Sequence, residues 1–132
     1  MSGASDTNGR LDWISRPAGP LRGTLTVPGD KSVSHRAVLL GSIADGPVHV
    51  QGFGRSGDTE STVSAVRALG VEVEEPDVDE LVVHGRGMRG LRAPAEPVDA
   101  GNAGTLMRLL SGILAGHGDR FELTGDESLS RR

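Results

Sequence analysis

Two stretches of this chain share one layout, and that repeat limits the folds open to it. Gly29 leads a helix-patterned stretch with Arg36 seven residues on, a stop at Gly46, a strand-like Val48 and Val50, and Gly52. Gly101 leads a second, with Arg108 seven residues on, then Gly118, a strand-like Phe121 to Leu123, and Gly125. A second helix and two strands follow the first copy, whereas the second copy reaches Arg132 where its own second helix is due. The unit is β-α-β-α-β-β, present about one and a half times. Alternating strands and helices predict an α/β (α+β layered) architecture. The unfinished copy suggests a truncated protein. Chance likeness between glycine-rich turns is the competing explanation.

The spacing predicts short strands at Leu11 to Ile14 and Leu21 to Val27. Asp30 or Ser32 caps a helix over 32–44, with Val33, Ala37, Leu40 and Ala44 as its apolar stripe. Asp58 or Thr59 caps the next helix, with Val63, Val66 and Leu69 inward. Val71 and Val73 pair with Leu81 to Val83 across an acidic loop (Glu74, Glu75, Asp77, Asp79, Glu80), a solvated face. Residues 85–97, punctuated by Gly and Pro, form a connector. The third helix carries Leu106, Leu109, Leu110, Ile113 and Leu114 on one face. Residues 1–10 are polar and read as a disordered leader.

The two turns are where chemistry concentrates. Pro28-Gly29-Asp30-Lys31-Ser32 places a lysine, a hydroxyl and backbone N–H groups at a helix start, with Arg36 one turn deeper. That set suits an anion, and the arginine fork suits a carboxylate or phosphate. A helix cap with two solvated cations is the commoner reading of such a turn taken alone. Asn102 to Thr105 holds small residues at a helix start, where a ligand can approach the backbone; a capped turn packed on a neighbour fits equally. Arg108 reads as an ion-pair residue holding layers together. Arg131 and Arg132 close a third possible anion-facing loop.

Composition narrows the partners. Aromatics are 2% and the formal charge is -4, against single-strand stacking platforms and a basic nucleic-acid footprint. The sequence has no cysteine, so disulfides and thiolate chemistry are excluded. His35, His49, His84 and His117 lack metal-ligand spacing, and His84 and His117 read as surface residues. No apolar run approaches the roughly 20 residues of a membrane span. No signal peptide opens the chain, so a soluble cytoplasmic protein is the default.

Three segments in order, PGDKSVSHRAVLLGSIADG, DAGNAGTLMRLLSGILAG and LTGDESLSRR, resemble the N-terminal part of the 3-phosphoshikimate 1-carboxyvinyltransferase (EPSP synthase) family. The resemblance implies two domains of three β-α-β-α-β-β units each, an inside-out barrel of which this chain holds only part. Residues 11–28 would then be strands of the second domain, and 29–132 about one and a half units of the first. It implies transfer of an enolpyruvyl group from phosphoenolpyruvate to the 5-hydroxyl of shikimate 3-phosphate, with release of phosphate, in aromatic amino-acid biosynthesis. No metal or organic cofactor is implied. By resemblance Lys31 touches both substrates, and Ser32 and Arg36 bind shikimate 3-phosphate. Asn102, Gly104, Thr105 and Arg132 contact phosphoenolpyruvate, where the inhibitor glyphosate also sits. Two positions depart from the pattern: Leu109 stands where some members have proline, and Asp30 where others have serine. The family's proton-transfer carboxylates fall outside this sequence, so no catalytic residue is assigned and the chain is expected to be inactive alone. A complementary C-terminal portion is the expected partner. The alternatives are a non-catalytic anion-binding domain of the same fold and a UDP-N-acetylglucosamine enolpyruvyl transferase relative, which Lys31-Ser32 with His35-Arg36 fits poorly.

Overall fold

The computed structural model describes residues 4–5, 11–12, 16–17 and 19–131. Near the start, β1 (Ala4–Ser5) pairs antiparallel with β2 (Leu11–Asp12). The rest of the expected leader (1–3 and 6–10) and the end of the expected Leu11 to Ile14 strand lie outside the described residues.

The first repeat unit begins with α1 (Lys31–Ser42). Asp30 caps it, its carboxylate accepting from the Val33 N–H at 2.7 Å. A backbone turn at Asp45-Gly46 leads to β3 (Pro47–Gln51). Next comes α2 (Gly57–Ala68), whose start is a capping box between Ser56 and Thr59 rather than a cap by Asp58 or Thr59. Val63, Val66 and Leu69 are buried as expected. β4 (Glu72–Asp77) and β5 (Glu80–His84) complete an antiparallel sheet ordered β3-β5-β4. Most of the expected acidic loop is therefore strand. Glu74, Glu75 and Asp77 belong to the edge strand β4 and Asp79 to its hairpin turn, where charge and Pro76 are tolerated. Glu80 opens the central strand β5, and the pairing register shifts between Glu74 and Asp77.

The second unit runs β6 (Val98–Asp99), α3 (Gly104–Leu114), β7 (Leu123–Thr124) and a single turn, α4 (Glu127–Ser130). β6 and β7 pair in parallel. Thus β3-Gly52-α2 and β7-Gly125-α4 are matching segments, which is the repeat in three dimensions. A single core joins the units: Val38, Leu39, Val63, Val66 and Val83 of the first are contiguous with Leu106, Leu110 and Leu114 of the second. No barrel closes among the described residues.

Two expectations fail. The apolar stripe of α1 faces outward: Val33 and Leu40 are 60% and 62% exposed, and the buried set is Ser34, His35, Val38, Leu39, Gly41 and Ser42. Helix periodicity finds a face but does not say which neighbour covers it. Here α2 and the sheet cover the other one, where Ser34, His35 Nδ1 and Ser42 find hydrogen bonds. Second, Leu21 to Val27 is not a strand. Leu21, Leu25 and Val27 are 95%, 79% and 68% exposed. Alternating side chains make a strand only where another strand accepts its backbone bonds, and no described strand pairs with this segment.

Candidate functional site

Glycine brings the first turn into place. A Cβ on Gly29 would lie 1.8 Å from the Gly52 carbonyl oxygen and 2.7 Å from the Gly54 nitrogen; one on Gly54 would lie 2.3 Å from the Gly29 oxygen. The two backbones are in direct contact. Ser34 fastens the contact: its hydroxyl donates to the Asp30 carbonyl at 2.8 Å and accepts from the Gly54 N–H at 2.9 Å. The result fixes Lys31, the only lysine of the sequence, at the first position of α1. Lys31 Nζ donates to Asp58 Oδ2 in the first turn of α2.

The second turn is built differently. Gly101 has φ of +54°, a left-handed conformation that favours glycine, and its N–H donates to Asp99 at 2.8 Å. The Gly101 carbonyl accepts from the Asp126 N–H at 2.9 Å, and Asn102 Nδ2 donates to Asp126 at 2.6 Å. This clamps the turn to the β7–α4 connection. The helix that follows has Ala103 at its cap, no side-chain cap and no acid in its first turn.

Between the units lies an open cleft of about 830 Å³. Lys31 and Asp58 line it from the first unit, and Asn102, Gly104, Thr105 and Arg108 from the second, with Thr124, Gly125 and Ser130 beyond them. The starts of α1, α2 and α3 all reach this cleft. Each helix start carries about half a positive charge. Asp30 offsets it at α1 and Asp58 and Glu60 at α2, while that of α3 is uncompensated. With two cations and one carboxylate, the cleft can hold a small anion.

Of the residues assigned from sequence, Lys31, Asn102, Gly104 and Thr105 come together here. Ser32 and Arg36 are exposed on α1 and do not line this cleft. Arg132 lies outside the described residues. Arg108 is no layer-to-layer ion pair; among the described residues it has no acidic partner. Its cleft position has no local signal, since its repeat counterpart Arg36 lies outside the cleft. Asp58 was read only as a cap, and nothing local in sequence pairs it with Lys31. Of the two histidines read as surface groups, His84 pairs with Glu74 at 2.7 Å. His117 packs edge-on against Phe121 with its Nε2 buried, because the helix end it follows folds back onto β7's approach.

An ion-pair network stands behind the first turn. Arg55 meets Glu60 at 2.8 Å and Glu75 at 2.7 Å, and Arg67 meets Glu75 at 2.7 Å. Hydrogen bonds from Arg67 and then Arg55 hold the Glu75 carboxyl below its ordinary range. Glu60 foremost, with Glu75, holds the Arg55 proton more tightly than usual. Among the described residues no three His, Asp or Glu side chains could share a metal ion, and no helix is long and apolar enough to cross a membrane.

Comparison with known proteins supplies the frame for this cleft. Residues 15–132 match the family model for EPSP synthase (3-phosphoshikimate 1-carboxyvinyltransferase). The chain is 53% identical over 120 residues to a 3-phosphoshikimate 1-carboxyvinyltransferase of Methylococcus capsulatus, covering 91% of this chain and 28% of that protein. A Streptococcus pyogenes protein of the same name is 53% identical over 115 residues, covering 87% and 26%. A solved EPSP synthase from Acinetobacter baumannii superposes with a TM-score of 0.79 at 51% identity, over 83% of this chain and 25% of that one. The chain therefore spans about a quarter of the length of the relatives it matches.

Proposed function

This chain belongs to the EPSP synthase family, and we propose that it forms part of the substrate cleft for enolpyruvyl transfer. The 5-hydroxyl of shikimate 3-phosphate adds to C2 of phosphoenolpyruvate, and phosphate is then eliminated. The observation that carries this reading is the convergence of three helix starts with Lys31 and Arg108 on one cleft. Phosphoenolpyruvate carries a phosphate and a carboxylate, and such a site suits both.

In this reading the start of α3 takes the phosphoenolpyruvate anion on its backbone N–H groups. Asn102 and the Thr105 hydroxyl flank it, Gly104 allows close approach, and Arg132 adds a cation. Lys31 exchanges Asp58 for the two substrates. Ser32 and Arg36, exposed one face away, bind the phosphate of shikimate 3-phosphate from a second wall that other parts of the enzyme complete. Segment 11–28 belongs to that second domain, and 29–132 to the first. Exposed Leu21, Leu25 and Val27 support this division. Proton transfer also falls to the remainder, so the chain alone is inactive and its partner is a complementary C-terminal portion. The family's substrates are soluble metabolites, and the assigned location is the cytoplasm.

The test is phosphate release from shikimate 3-phosphate and phosphoenolpyruvate, with and without a separately expressed C-terminal portion. Release only with that portion is expected. Release from the 132-residue chain alone would overturn its dependence on the rest. No release in either case, with both pieces folded and associated, would overturn the assigned reaction.

A further inference from the structure

The two helices that carry the Lys31–Asp58 pair are joined by a second, hidden rung. One turn after Lys31 stands His35, and one turn after Asp58 stands Thr62; His35 Nδ1 lies 2.6 Å from Thr62 Oγ1. Both rungs span 27 residues, so they report one register of α1 on α2. The outer rung is open to solvent, with Lys31 and Asp58 side chains 53% and 30% exposed. In the inner rung both residues are 0% exposed. A solvated ion pair of this kind holds little by itself. A buried polar pair with no water to replace it resists displacement far more.

The hydrogen bonding has one economical arrangement. Thr62 Oγ1 also reaches the Asp58 carbonyl at 3.3 Å. If the hydroxyl donates there, it accepts from His35 Nδ1–H, and the imidazole is neutral with a lone pair at Nε2. Nε2 is buried with no partner; a bare acceptor there costs less than a bare N–H. The chain Lys31–Asp58–Thr62–His35 is thus continuous from the cleft to the core. Burial, and next the Lys31 ammonium, favour the neutral ring, against a smaller opposing pull from Asp58.

We propose that His35, acting through Thr62, is a positioning residue: the buried rung sets the register of α1 on α2 and so holds Lys31 in the cleft. It does not touch substrate. The proposal rests on the cleft role of Lys31 given above, but its test does not need substrate. Lys31 is the only lysine, so its side chain is a single resolved NMR probe. The measured quantity is the Overhauser contact between Lys31 Hε and Asp58 Hβ in the 132-residue chain, with amide dispersion recording the fold. Thr62→Val keeps the shape and removes the hydroxyl; Thr62→Ser restores it. His35→Asn keeps an N–H near the Nδ1 position; His35→Leu does not.

The contact is expected to fall several-fold in Thr62→Val and His35→Leu and to persist in Thr62→Ser and His35→Asn. A dispersed Thr62→Val spectrum with the contact unchanged would overturn the proposal, as would equal loss in Thr62→Ser. If Thr62→Val unfolds the chain, the His35 pair decides: loss in Leu with retention in Asn supports it, and equal behaviour overturns it. A chain that keeps the contact yet gives no phosphate release even with the folded, associated C-terminal portion would refute the proposed reaction and leave this inference standing.

Discussion

The two turns of the repeat begin alike in sequence and end as opposites. At the first, side chains fasten the turn at several points. Asp30 caps the helix, Ser34 bridges to Gly54, and Lys31 is paired with Asp58. At the second, the clamp is made before the helix starts, by Gly101 and Asn102 to the β7–α4 connection, and the helix start itself has no side-chain cap. One turn puts its hydrogen bonds into holding two elements together. The other leaves its helix start without a side-chain cap. A repeat can thus preserve a shape while its copies are fastened in different ways.

The sharpest way to break this comparison is to add one methyl group to each copy. Gly29→Ala or Gly54→Ala forces a Cβ into backbone atoms that cannot swing away. A loss of about 3 kcal/mol or more is expected, read as a drop in urea midpoint. A loss below half of that would mean the contact is looser than described. Next in size is Arg108→Ala. In the whole enzyme it should weaken phosphoenolpyruvate by about tenfold or more, since a charged hydrogen bond contributes roughly 1.5–3 kcal/mol. Unchanged affinity, measured by titration, would remove Arg108 from the site. In the second unit the glycine experiment reverses sign: Gly112, exposed on α3 with nothing within 4 Å of an added Cβ, should stabilise by about 0.5–1 kcal/mol as alanine.

The smallest effect concerns acid. Glu75 is held below its ordinary range by Arg67 and Arg55, so the unfolded chain binds this proton at higher pH than the folded one. The stability involved is complete above the unfolded value of about 4.3 and is lost as pH falls through the folded one. Because the partners are partly exposed, it amounts to about 1 kcal/mol at most. Glu75→Gln should flatten the acid limb of the stability curve, measured by urea midpoints across that range. Parallel curves would show that the network contributes nothing. The Arg120–Glu122 and Arg131–Glu127 pairs of the second unit are exposed and local and should add no such limb.

How much of this was legible beforehand follows from where each signal resides. The α2 core positions and the repeat are local patterns, and they read correctly. Of the α3 stripe, Leu106, Leu110 and Leu114 are buried and Ile113 half-buried, while Leu109 is exposed at the edge of that face. Lys31, Asn102, Gly104 and Thr105 share one cleft; the turn patterns alone left their role open, and the family resemblance singled them out. The burial of α1 was misread because periodicity finds a face and not the neighbour that covers it: α2 and the sheet lie against the other side. Leu21 to Val27 failed because alternation is only half of a strand, and no described strand pairs with it. Asp58, Thr62 and the cleft role of Arg108 depend on how two helices sit side by side, which no single segment specifies.

The backbone contact between Gly29 and Gly54 has a consequence for redesign. A joint made of side chains can be retuned by degrees, a methylene at a time. A joint made of main chain alone has no such dial; any residue larger than glycine changes it from closed to open. Attempts to reshape the cleft therefore have little room beneath Lys31. Adjustable positions lie on the opposite wall, where Thr105 and Arg108 project from a helix whose underlying contacts are ordinary side-chain packing.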